Sequence, residues 1–158
     1  MASSQAYSVV RIDGLKPSDR RGIVFLVREG DGDLNAAETF GVLEQKQKRA
    51  VFDRFDLWVD GDIKDNYFHG WPNIPKYKQC FVFKWKHKKR NHRLYGFLYH
   101  PQPKTRPRFQ LCVLISHATK NTWETDPSEL DSANELRCNL EVITVVKAAF
   151  LDEQGKKV

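Results

Sequence analysis

Hydrophobic positions recur at two spacings along this chain, and the spacing changes several times. YSVVRI (7–12) and GIVFLVRE (22–29) are β-branched apolar runs parted by the breaker LKPSDRRG, and each predicts a strand. GDGD (30–33) reads as a turn. From Asn35 the interval lengthens: Ala36, Phe40, Leu43, Val51, Phe55 and Trp58 form one apolar stripe of helical period, interrupted by Gln47. Asn35 with Glu38 has the form of a capping box, and Asp60-Gly61 is a suitable stop. The polar centre EQKQKR fits one helix or two folded back as a hairpin, so a helical unit is predicted over about 35–60.

DGDIKDNYFHGWPNIPKYK, rich in Gly, Pro, Asn and aromatics, reads as a linker. Period two then returns in QCFVFKWKH (79–87), RLYGFLYH (93–100) and RFQLCVLISH (108–117). In the first of these, alternation puts Phe81, Phe83 and Trp85 on one face and Val82, Lys84 and Lys86 on the other. The connections KKRN and PQPKTRP are short enough for an antiparallel meander, and the third strand, apolar on both faces, is expected to be central. TDPSELDSANELR writes a helix start, with Asp126 as N-cap, Pro127 at the first helical position and Glu129 closing the box. LEVITVV (140–146) predicts a final strand.

Composition narrows the class. With 158 residues, 18.4 kDa and 41% hydrophobic content, residues 1–158 are expected to form a single domain with a real core. No apolar run approaches the roughly 18 residues of a membrane span, and MASSQAYSVV lacks the pattern of a signal peptide. Cys80, Cys112 and Cys138 give neither a disulfide framework nor metal spacing, which suggests a cytoplasmic protein. No cofactor, small-molecule or metal motif occurs: GxGxxG, Walker A and GxSxG are missing, and DGDIKD departs from the EF-hand pattern.

Charge changes the picture most. The net value of +6 conceals a segregation, because Asn66 to Trp123 holds 58 residues without one Asp or Glu but with twelve Lys and Arg. The rest of the chain carries fourteen cations against twenty acids. Like charges so concentrated oppose compaction, and an anionic partner explains their retention; nucleic acid comes first and an acidic protein second. The densest block is KWKHKKRNHR (84–93), with six Lys/Arg and two His in ten positions between two predicted strands.

Metal-free RNA cleavage requires a base for the 2′-OH, cations for the charge on the phosphorane and an acid for the 5′-oxygen. Crowded cations depress the pKa of Lys and His, which suits them to the first and last roles. Lys84, Lys86, Arg93, His117 and Lys120 come from adjacent strands and are expected to converge on one side of the sheet. His117 is the candidate acid or base, with Lys120 and Arg93 as phosphate stabilisers. Lys88, Lys89, Arg90, His92, Arg108 and Trp123 extend an RNA-binding surface, and His87 is a further acid-base candidate. Trp85, Tyr95 and Tyr99 offer stacking surfaces if exposed and core packing if not, while His117 has the blander alternative of a hydrogen-bonded strand end.

RLYGFLY, a loop, FQLCVLISHATKN and then TDPSELDSANELR resemble the C-terminal half of the HigB-type branch of the RelE/ParE toxin superfamily, which includes phage-derived Gp49-like members. The residues carrying the resemblance are Arg93 and Tyr95 opening one strand, the His117 to Lys120 segment closing the next, and Thr125, Pro127, Glu129, Leu130 and Ala133 at a helix start. The helical unit ending in LWVDG is similar to that family's N-terminal helix or helical hairpin, so the resemblance spans about 22–137. It implies an α+β fold, a RelE-like compact domain in which a twisted, mainly antiparallel sheet packs against N-terminal helices. It further implies a toxin that cleaves mRNA, typically on the ribosome, and that a cognate antitoxin holds inactive. The chain departs from the pattern in its material before Gly22 and after Arg137, in having no Glu at Phe83 or Lys84, at one of which several members carry it, and in lacking any Tyr after Tyr99. A non-catalytic protein binding nucleic acid or an acidic partner on the same scaffold is the alternative.

Overall fold

The structure, a computed structural model, describes residues 6–16, 18, 20–100, 109–120 and 127–157. It is α+β. In chain order its elements are β1 (Tyr7–Arg11), β2 (Arg21–Arg28), α1 (Ala36–Gly41), α2 (Gln45–Val59), β3 (Phe68–Gly70), β4 (Cys80–His87), β5 (Arg90–Tyr99), β6 (Gln110–Lys120), α3 (Pro127–Cys138) and α4 (Leu140–Lys157). The described strands make one six-stranded mixed sheet in the order β1-β2-β6-β5-β4-β3. The expected meander β4-β5-β6 is antiparallel throughout, and β6 is interior because β2 pairs with its other edge in parallel. None of the described helices is long and apolar enough to cross a membrane.

The helical unit is the hairpin version of the prediction. Asn35 stands at the α1 N-cap, yet its side chain makes no cap hydrogen bond. The Asn35 Oδ1 instead accepts the backbone N–H of His117 at 2.8 Å, which ties the helix start to β6 and replaces the predicted capping box. The Asp60-Gly61 stop holds, with Gly61 at φ 92. The linker is more structured than its composition suggests, since it contains β3 and a 3-10 turn at Pro75–Tyr77.

The predicted final strand at 140–146 is wrong: LEVITVV lies inside α4. Local chemistry starts that helix, because the Asn139 Oδ1 accepts the N–H groups of Glu141 (2.8 Å) and Val142 (3.2 Å). Val142 and Val146, four residues apart, then bury on one helical face, and burial outweighs β-branched propensity. Asp126, Thr125, Arg108, Trp123 and the PQPKTRP connection lie outside the described residues.

Each face of the sheet carries its own core. Ile23, Phe25, Phe81, Phe83, Trp85, Leu94, Cys112 and Leu114 pack under α1 and α2. Val24, Leu26, Cys80, Val82, Tyr95, Phe97, Val113 and Ile115 pack under α3 and α4. The β4 alternation matches the expected split. In β6 it is interrupted: Gly96 faces Leu114 but Tyr95 faces Ser116, so Ile115 is an extra residue and the strand bulges. Gly96 permits this approach, because a Cβ there would overlap the carbonyl oxygen of Val113. Gly96→Ala is therefore expected to cost about 2–4 kcal/mol, measured as a drop in urea-unfolding free energy.

Candidate functional site

The bulge divides the predicted catalytic residues. Without it His117 would continue the row of Val113 and Ile115 on the α3/α4 face, where Arg93 lies. With it, His117 pairs with Leu94 and lies on the α1/α2 face, while Ala118 pairs with Arg93. The expected convergence of His117 with Arg93 and Lys84 on one side is thereby corrected. Of Lys120 the backbone pairing with Asn91 is described.

On the α1/α2 face the structure assembles a ring cluster. His92 stacks on the buried Trp85 (centroids 5.2 Å apart, 12° between planes), and His92 Nδ1 lies 3.0 Å from His117 Nε2. One of those nitrogens donates and the other accepts, so the pair holds together in its neutral form. Burial and then the neighbouring His92 push the His117 pKa down to about 4 from 6.5. His92 is lowered too, chiefly by burial, then by His87 and Arg90. At neutral pH this is an uncharged cluster beneath the helical hairpin. Trp85 is core, not a stacking platform.

The opposite face holds the cationic cluster. Lys84 and Arg93 are direct cross-strand partners, and β3 adds His69, whose partner Val82 shares their face. Arg93 is only 3% exposed and donates to the Tyr95 hydroxyl at 3.3 Å. Tyr95 is itself fully buried, so it too offers no stacking surface. The Lys84 pKa is lowered by burial and by the Arg93 charge. That of His69 is lowered by burial, with the charges of Lys84 and Arg93 adding to the effect against a backbone hydrogen bond and the Asp65 charge that raise it. That bond, from His69 Nδ1 to the Gly70 carbonyl at 3.0 Å, fixes the tautomer in the neutral ring: Nδ1 carries the proton and Nε2 the lone pair. Trp71 meets the His69 ring at 4.8 Å. His69 and Lys84 line one cleft of about 620 Å³ that also takes in Arg21, Trp58 and Pro72.

Sequence reading missed His69 and Trp71. A three-residue strand is too short for periodicity to register, and the signal that remained was YFHGW, a His among aromatics in a Gly- and Pro-rich stretch. The hairpin cations Lys86, Lys88, Lys89 and Arg90 are exposed at the sheet's end. Asp62 and Asp65 also line the cleft of His69 and Lys84, and a second group of acids, Asp31, Asp33, Glu129 and Glu135, lines a separate cleft of about 520 Å³ between the β2–α1 turn and α3. Among the described residues no group of three or more His, Cys, Asp or Glu is placed to hold a metal ion.

The His117 shift sets a pH dependence of folding. Between pH 6.5 and about 4 the unfolded chain binds a proton that the folded ring excludes, so stability is complete above 6.5 and declines as the pH falls through that window. For a half-buried ring the loss is about 1–2 kcal/mol. His69 and His92 shift in the same direction, so the measurement is a comparison: urea midpoints from pH 7 to 4 are expected to fall less steeply in His117→Gln than in the wild type. Compared with protein-family models, curated proteins and solved structures, the chain matches none.

Proposed function

We propose that this chain is the toxin of a type II toxin-antitoxin module, a metal-free endoribonuclease that cleaves mRNA, with the ribosome as the setting of the cut and a cognate antitoxin as its restraint. The observation that carries the reading is the Lys84, Arg93 and His69 cluster, three basic side chains held on one face of an acid-free part of the sheet. The family resemblance and the α+β architecture of a largely antiparallel sheet against a helical hairpin support it.

The chemistry follows from the protonation states. Neutral His69 accepts the 2′-OH proton at Nε2, and the 2′-oxygen attacks the adjacent phosphorus. The Lys84 ammonium, its acidity raised by burial and Arg93, protonates the departing 5′-oxygen and leaves a 2′,3′-cyclic phosphate. Buried Arg93 acts through its field: it lowers the pKa of both partners and favours negative charge on the phosphorane. Trp71, beside His69, is the aromatic surface available to a base. In this assignment the acid-base work lies with His69 and Lys84, and His117 with His92 supports the sheet from the other side.

The test is cleavage of mRNA, with and without ribosomes, read by mapping new 5′ ends. His69→Ala and Lys84→Ala are each expected to lose about 10²–10⁴-fold in rate, whereas His117→Ala retains cleavage. The rate is expected to rise as His69 deprotonates, below the ordinary 6.5, and to fall as Lys84 deprotonates, below the ordinary 10.5. His69→Ala removes the acid limb. A folded wild-type protein that binds RNA with salt-sensitive affinity and never cuts it would leave the non-catalytic binding protein as the reading.

A further inference from the structure

We propose that the Glu44 carboxylate occupies, in the resting protein, the seat of an RNA backbone phosphate at the tip of the β4–β5 hairpin, so that the tip is a docking clamp closed by the chain's own acid. This rests on the RNA-binding reading above and adds to it a defined seat and the group that competes for it.

The turn itself points to a purpose other than folding. Lys88 and Lys89 form a two-residue hairpin loop with φ of 49 and 65, the left-handed pair that Asn-Gly adopts with least strain. Two lysines in that conformation cost stability, and backbone strain of this kind gathers at functional positions. Its effect is to hold two ammonium groups at the apex, flanked by exposed Lys86 and Arg90.

The acid-free stretch holds no carboxylate for these charges, and among the described residues one reaches them from the start of α2. Glu44 Oε1 lies 3.3 Å from Lys88 Nζ, and its Oε2 lies 3.6 Å from His87 Nε2. Both separations exceed the roughly 2.7–2.9 Å of a good charge-assisted hydrogen bond. His87 Nε2 is buried with no hydrogen-bond partner. Nor does Glu44 serve its own helix, for it stands at the α2 N-cap and its side chain makes no capping bond. It is an anion held by one long hydrogen bond from Lys88, with His87 Nε2 beside it left without a hydrogen-bond partner. A phosphodiester brings the same charge on two unesterified oxygens and enters from solvent, unconstrained by the helix.

The experiment is titration of a labelled single-stranded RNA oligonucleotide at several salt concentrations. Removing the competitor with Glu44→Gln is expected to tighten binding roughly two- to fivefold at low salt. It should also steepen the slope of log affinity against log salt by about 0.7, the increment for one further phosphate contact on a single strand. Replacing the apex with the double variant Lys88→Asn, Lys89→Gly is expected to raise the urea midpoint while weakening RNA binding, and in that background Glu44→Gln should have no further effect. If the wild type binds RNA and Glu44→Gln binds it equally or less well, the latch is refuted and the RNA reading stands. If the wild type binds no RNA at any salt concentration, the RNA reading falls and this inference with it.

Discussion

A single extra residue in β6 governs what this sheet can do. Ile115 has no partner in the β5–β6 register, and from that point the central strand presents its side chains to the reverse faces. His117 is thereby drawn under the helical hairpin, where Asn35 grips its backbone and His92 its ring. Lys84, Arg93 and His69 are left together on the other side. The device is backbone geometry and depends on a residue with no side chain, since only Gly96 lets the Val113 carbonyl come so close.

Much of the fold was legible because it is written in local patterns. The β4 alternation, the meander, the central place of β6, the Asp60-Gly61 stop and the helix at Pro127 all follow from residues near one another in the chain. What escaped depended on distant partners. LEVITVV has the composition of a strand, and its helical form comes from the Asn139 cap and from Val142 and Val146 finding a core. Asn35 looked like a cap, but its acceptor went to a strand 82 residues away. The site was half legible: the cationic positions on β4 and β5 could be read from period two, whereas the side taken by His117 required a register shift that alternation alone does not reveal. His69 depended on β3, an edge strand of three residues.

Charge segregation and burial act together on the proposed chemistry. At Lys84 and His69 burial and neighbouring cations favour losing a proton, and they outweigh the opposing charge of Asp65. Lys84 and His69 both move that way. At the hairpin tip, Glu44 from outside the stretch supplies partial neutralisation among the described residues.

The parallel pairing of β2 with β6 also has a kinetic meaning. Arg21 meets Gln110 and Phe25 meets Leu114, so the contact that joins the two antiparallel parts of the sheet closes most of the chain into one loop. Closure of that size carries an entropic cost before any contact compensates it, and topologies dominated by such contacts fold slowly. On a translating ribosome the β4–β5 hairpin emerges whole while the strand that seats it between two cores is still being made. The polypeptide therefore acquires its basic apex early and its ordered interior late, and the interval between the two is when its unpaired edges are open to another chain.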